Sequence, residues 1–297
     1  MKRIYSVLLL LVMLSAVKQA WACDQCSCSS GAAFNNISEF ATYNYLMLRL
    51  GYGSMHGDGD VTAFSANMYM DIVGGYSLNK RIHVSGYLPL RYNYFAHEGN
   101  THSLYGLGDA GLLANVIAWS NADDMMKRTK LTISARGGIE FPTGNFNEAF
   151  RAEDVPAAMS TGSGSIDVLG GARLIVRNDK NTITFDYLGK YNTANKVEYQ
   201  FGLQQMANVF IGRTIKKPGA SWLPYAGIAG EWSGGDTYHD NPMSGTSGYN
   251  LGVMAGVEYA RTNWVFGAHT DMPFISNYDT EVTIHPKASL RVMRLFN

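Results

Sequence analysis

From Ala41 onward apolar and polar residues alternate with a period of two, the spacing of β-strands that show grease to one side and polar groups to the other. Between Ala41 and Gly53, Leu46, Leu48, Leu50 and Tyr52 mark one face and Tyr45, Met47 and Arg49 the other. Val61–Leu78 sets Met68, Met70, Ile72 and Tyr76 against Asn67, Tyr69 and Asp71. Arg81–Phe95 sets Ile82, Val84, Leu88, Leu90 and Tyr92 against His83, Ser85, Tyr87 and Arg91. Leu104–Trp119 alternates poorly. Lys130–Pro142 places Thr132, Ser134, Arg136 and Glu140 on its polar face, and Ser163–Val176 places Ser165, Asp167 and Arg173 there. Six more spans follow: Thr182–Asn192 with Asp186 and Lys190, Val197–Arg213 with Glu198 and Gln200, Trp222–Ser233 with Glu231, Tyr249–Tyr259 with Asn250 and Glu258, Trp264–Phe274 with His269 and Asp271, and Val282–Phe296 with Arg291. The pattern predicts twelve strands.

Connections after even strands are mostly short, such as Asn79-Lys80 and Arg261 to Asn263, with Ser120 to Thr129 the longer exception. Two connections after odd strands are long and polar, Gly144–Gly162 and Gly234–Gly248. Short turns at one end and long loops at the other are the habit of outer-membrane barrels. An even strand number then puts both termini on the periplasmic side. Several spans exceed ten residues, which suits a tilted strand crossing a bilayer better than a globular sheet. Nearly every polar face carries an ionisable group in mid-strand. In a dry core each would cost several kcal/mol unless paired, and an enclosed watery lumen removes that cost. Outward aromatics near strand ends are expected to form two girdles. Tyr52, Tyr92, Tyr94, Phe141, Tyr191, Tyr199 and Trp232 fall at the outer ends, and Tyr76, Trp222, Trp264 and Phe296 at the inner ends.

Composition changes the picture at the N-terminus. Lys2 and Arg3 precede a leucine-rich stretch from Ile4 to Val17, and Ala20-Trp21-Ala22 is an A-x-A site, the layout of a cleaved signal peptide over residues 1–22. A Cys-rich periplasmic segment over 23–40 and a barrel over 41–297 complete the expected organisation. No later stretch approaches the ~18 apolar residues of a spanning helix. The 24 basic residues less Lys2, Arg3 and Lys18 leave 21 against 24 acidic ones, so no basic footprint for nucleic acid exists. No phosphate loop, dinucleotide fingerprint or zinc-protease motif occurs, and His269 and Asp271 lack an evident serine partner. The expectation is a protein that is not an enzyme.

Gly106-Leu107-Gly108-Asp109, Phe141-Pro142-Thr143-Gly144, Gly162-Ser163-Gly164-Ser165 with Asp167, and Leu223-Pro224-Tyr225-Ala226-Gly227 stand at strand ends. In this order they resemble the bacterial outer-membrane transporter-like barrels grouped with meta-pathway phenol-degradation proteins. The Cys-Asp-Gln-Cys-Ser-Cys start is similar to a variant found in Bacteroidetes. The resemblance covers roughly residues 23–297. It implies a passive or substrate-selective outer-membrane channel for a small solute, set in outer-membrane lipid by the barrel-assembly machinery. A metal-binding barrel that transports nothing, and a structural or adhesion barrel, are the alternatives.

Three constellations are candidates for chemistry. Cys23, Cys26 and Cys28 place three soft sulfurs on a short segment, suited to copper or zinc; a disulfide with one spare thiol and lipidation of Cys23 stand beside that reading. Histidines 56, 97, 102, 239 and 285 fall at or near the outer loops. The third set lines the expected lumen: Arg49, Asp71, Arg91, Asp109, Arg136, Glu140, Asp167, Arg173, Asp186, Lys190, Glu198, Glu231, Glu258, His269, Asp271 and Arg291. Arg49, Asp71 and Arg91 come from three successive strands, so a cross-strand ladder is expected of them. The set either fills the barrel with salt bridges or lines a pore.

Overall fold

A computed structural model describes residues 43–57, 63–97, 99–146, 155–278 and 282–296. The signal peptide and the cysteine segment lie outside these residues.

The described chain forms a closed antiparallel barrel of twelve strands. They are β1 (Asn44–Gly57), β2 (Ala63–Ser77), β3 (Ile82–His97), β4 (Asn100–Leu107 and Ala110–Ser120), β5 (Thr129–Phe141) and β6 (Asp167–Asn178). There follow β7 (Asn181–Tyr191), β8 (Gln204–Arg213, continued by Ile215–Lys217), β9 (Ala220–Ser233), β10 (Gly248–Arg261), β11 (Trp264–Tyr278) and β12 (Val282–Ile284 and Lys287–Phe296). Each strand pairs with its sequence neighbours, and β1 closes on β12 with Met47 opposite Met293 and Arg49 opposite Arg291. Closure leaves no edge strand, which lipid demands because its core offers no hydrogen bonds to backbone groups. The expected strand number and topology hold.

The period-two pattern fixes the facing. In β1, Leu48 is 41% exposed on the outer wall and its neighbour Arg49 is 3% exposed inside. Leu46, Ile72, Leu112, Ile139, Val168, Phe185, Val209, Ile228, Val253 and Leu290 are likewise turned outward, so an apolar belt surrounds the barrel. Such a belt is stable only against hydrocarbon. Tyr76, Trp222, Trp264 and Phe296 border it at the end holding the short turns, and Tyr52, Phe141, Tyr191 and Trp232 at the other.

Four boundaries depart from the alternation, each for a local reason. β4 is broken at Gly108-Asp109, opposite Pro89 of β3. Proline has no N–H to donate to the ladder, and the Gly108 amide bonds instead to the Pro89 carbonyl at 2.8 Å. A side chain on Gly108 would meet Pro89 Cγ at 2.9 Å, so only glycine passes there. A register shift between Ile117 and Trp119 further blurs β4. β6 starts at Asp167 rather than Ser163, because Ser163 and Ser165 bond to each other and Ser165 to Asp167. β8 starts at Gln204 rather than Val197. Residues 192–203 form a self-closed loop in which Asn195 Oδ1 accepts from the amides of Val197 and Tyr199. Within it Tyr199–Gln200 pairs with Thr237–Tyr238 of the β9–β10 loop. Tyr199 is therefore 2% exposed inside a loop core and is no part of the outer girdle. Finally β12 is interrupted at His285-Pro286.

Candidate functional site

The inner wall carries the ionisable residues of the polar faces, and it joins them across strands by alternating sign. Asp71 on β2 accepts from Arg49 Nε at 2.9 Å on one side and from Arg91 Nη1 at 2.9 Å on the other. Asp186 on β7 holds Arg173 Nε at 3.0 Å and Arg136 Nη2 at 2.7 Å. Lys190 reaches Glu140 at 2.5 Å and Asp167 at 3.1 Å. Arg291 pairs with Glu258. Asp71 and Asp186 each hold two arginines from other strands, and Lys190 is shared by two carboxylates, the arrangement in which a buried charge is tolerated. Asp71 is 1% exposed and Asp167 is fully buried. Of the two readings of this set, salt-bridged filling or a pore lining, these pairings have the form of the first: partner side chains offset the charge.

Inward tyrosines complete the packing, and each lies over a glycine directly opposite it. The pairs are Tyr45 with Gly75, Tyr69 with Gly51, Tyr87 with Gly111 and Tyr225 with Gly256. A Cβ on Gly51 would fall 2.0 Å from Tyr69 Cζ, and one on Gly111 would fall 2.3 Å from the Tyr87 hydroxyl. The Tyr69 ring lies under both guanidinium groups, 4.9 Å from Arg49 Cζ and 5.3 Å from Arg91 Cζ, a cation–π sandwich. The Tyr87 hydroxyl donates to Glu140. An apolar band crosses the same wall. It runs from Tyr45, Met47, Met293 and Leu295 through Val73 and Leu113 to Leu169 and Leu188.

The outer half of the wall is different. Two small cavities of about 20 and 30 Å³ lie there, and Lys287 borders both. Ser54, Ser65, Asn67 and Asn93 line the first; Asn208, Glu231, Asn250 and Asp271 line the second. Lys287 Nζ is 3.3 Å from Glu231 Oε2, which also accepts from Asn250 at 3.0 Å. His269 bridges the Tyr225 hydroxyl at 3.0 Å and Asp271 at 2.9 Å. These groups remain partly exposed: the side chains of Lys287, Glu231 and Asp271 are 29%, 25% and 31% accessible.

The loops narrow the outer end. Asp109, freed by the break in β4, accepts from the amides of Gly144 at 3.0 Å and Ser163 at 2.6 Å. Thr143 Oγ1 donates to the Gly108 carbonyl and accepts from the Ala110 amide. Three of the sequence motifs therefore meet in one knot at the root of the β5–β6 loop. That loop returns into the barrel, where Asn93 Nδ2 bonds the Met159 carbonyl at 2.8 Å. Beside it Phe146, Tyr199 and Phe201 cluster, and the Tyr199 hydroxyl donates to Asp236 at 2.5 Å. Burial pushes the Asp236 carboxyl up to about 6, although the bonds from Tyr199 and the Gly202 amide pull the other way. Glu198 sits outside the lumen with a positive φ and pairs with His239 at the surface. It is corrected from the expected lumen set, because its segment left the ladder.

Alternation alone missed Tyr69, Tyr87, Tyr225, Lys287 and Asn250 as partners of the charges. The tyrosines had a signal in the glycines of the neighbouring strands. No group of three metal-ligating side chains occurs among the described residues, and the cysteine cluster falls outside them.

These features define an outer-membrane β-barrel. No family model matches the chain, and no curated protein matches it. Among solved structures, an outer membrane channel from Pseudomonas putida F1 aligns with a TM-score of 0.66 at 14% identity, over 88% of this chain and 98% of that one. The β domain of the Bordetella autotransporter Brka (0.49, 12% identity, 86% and 100% covered) and the CymD monoaromatic hydrocarbon channel (0.44, 10%, 90% and 93%) are more distant. At such identities the likeness is one of fold.

Proposed function

We propose that this barrel is an outer-membrane channel, inserted by the barrel-assembly machinery, that admits a small polar solute. The observation that carries the reading is the pair of small cavities, each bordered by Lys287 and by further polar side chains, in the outer half of an otherwise packed barrel. A barrel that served only as a scaffold gains nothing by leaving Lys287, Glu231 and Asp271 a quarter to a third accessible. Bore also fits: twelve strands lie between small filled barrels and open porins. The dense centre then implies small conductance and a narrow size limit. Tyr225, His269 and Asp271 form a hydrogen-bonded relay, with Ser289 opposite His269 on the next strand, and no catalytic role is assigned to it.

Planar-bilayer recording tests the proposal. Purified full-length protein with heat-dependent gel mobility is expected to give small, discrete current steps. Folded, inserted protein that passes neither ions nor small sugars in liposome swelling would refute it.

A further inference from the structure

The two ends of the barrel differ in charge. At the end bearing the short turns, every turn carries exposed cations. Lys80 and Arg81 stand between β2 and β3, and Lys180 between β6 and β7. Lys216 and Lys217 cap the β8–β9 hairpin, and Arg261 ends β10. The β4–β5 turn is balanced: Lys127 and Arg128 lie 3.7 and 2.9 Å from Asp124 and Asp179, and Asp123 stands in the same turn. The other end is the reverse: its described loops carry Asp109, Glu198, Asp236 and Asp240 against Lys196.

We infer that this cationic ring binds the phosphate headgroups of anionic phospholipid in the periplasmic leaflet. Four observations point to lipid. Basic side chains stand in all five short turns, as contact with an annulus of lipid requires, and net positive charge remains at the β2–β3, β8–β9 and β10–β11 turns. It lies beside the inner aromatic girdle, and such girdles sit at headgroup depth. Arg294 joins the two on the outer wall, with its Cζ 4.9 Å from the Trp264 ring. Trp222 and Tyr259 pack beside them with ring centroids 4.6 Å apart. Lysine and arginine suit the place physically, since their stems lie along apolar surface while their heads reach out to phosphate. A basic group near an anionic bilayer surface strengthens binding about fivefold.

The test uses full-length protein reconstituted in vesicles of equal phosphatidylglycerol and phosphatidylcholine, then released for native mass spectrometry. Retained lipid is expected to be enriched in phosphatidylglycerol. The variant Lys216→Gln/Lys217→Gln/Arg261→Gln/Arg294→Gln, with its heat-dependent mobility intact, is expected to lose at least tenfold of that enrichment. If the fourfold variant does not fold, Lys216→Gln/Lys217→Gln carries the same comparison. No enrichment in the parent, or equal enrichment in the variant, overturns the inference. So does retention lost equally to inorganic phosphate and to the lipid, which would mark a plain anion site. Binding of the parent to purified peptidoglycan sacculi, lost in the variant while lipid enrichment stays, would transfer the ring to the cell wall.

Discussion

Replacing Gly51 by alanine probes the packing of the inner wall with one added methyl group. Its Cβ would fall 2.0 Å from Tyr69 Cζ and 2.3 Å from the Tyr69 hydroxyl, so the ring must leave. Over-packing of this kind costs about 1–3 kcal/mol. Displacing the ring also breaks its contacts with Arg49 and Arg91, each worth about 0.5–2 kcal/mol according to desolvation. The expected loss is therefore about 2–5 kcal/mol. Urea unfolding in phospholipid vesicles, followed by gel mobility without heating, measures it. The Tyr69→Ala background separates clash from strand propensity. With the ring gone the three atoms nearest the added methyl are removed, and alanine exceeds glycine in a strand by about 0.5–1 kcal/mol. Gly51→Ala should then change sign and become mildly stabilising. Equal destabilisation in both backgrounds would refute the tyrosine-on-glycine packing.

Asp186→Asn removes the anion shared by Arg136 and Arg173 and should cost about 3–5 kcal/mol of vesicle stability by the same urea assay; a change under 1 kcal/mol would show the arginines satisfied otherwise. Lys287→Met should shift the zero-current potential under a salt gradient toward cation preference, and an unmoved potential takes Lys287 off the solute path. Asp236 has a folded pKa near 6 against an ordinary value of 3.8. Folding thus favours its protonated form, and the loop clasp is most stable below pH 4 and loses up to about 3 kcal/mol as pH rises to 6. Proteolysis of the β9–β10 loop should be faster at pH 7.5 than at pH 5, and Asp236→Asn should abolish the difference. For the N-terminal segment, elemental analysis of protein purified after copper exposure should show metal that Cys23→Ser/Cys26→Ser/Cys28→Ser lacks; equal metal content would remove copper binding there.

Much of the barrel was legible because one physical rule governs every strand: a period of two with lipid on one side. Leu46, Leu48 and Leu50 against Met47 and Arg49 announce the facing of β1 without any tertiary knowledge. The rule fails where the ladder itself is interrupted. Pro89 acts on β4 from a neighbouring strand, so the break at Gly108 has no cause within β4's own sequence. Tyr199 looks like a girdle residue because its local alternation persists, yet Asn195 has already turned the backbone away. The Arg49–Asp71–Arg91 contact followed from strand adjacency alone. The triads on Asp186 and Lys190 needed register, which depends on closure and tilt. Sequence left pairing and water as alternatives for the inner charges. Alternation states that a face is polar, but solvent and counter-charge satisfy that face equally well.

Pairing and partial exposure together divide the inner wall into two populations. Asp71, Asp167, Asp186 and Glu258 are almost wholly buried, and each is held by basic partners or shared between strands. Removing one leaves uncompensated charge in a dry interior, so their loss acts on stability. Lys287, Glu231 and Asp271 border a cavity and stay partly exposed, where a single ion pair contributes about 0–1 kcal/mol. Their loss acts little on stability and directly on the field that an entering solute meets. The same residue types on the same strands therefore serve different ends, and depth along the barrel decides which. Substitutions in the first set should lower the urea midpoint and leave ion preference alone. Those in the second should do the opposite. A barrel whose ion preference followed Asp186 rather than Lys287 would place its path through the packed centre, and the division by exposure would fail.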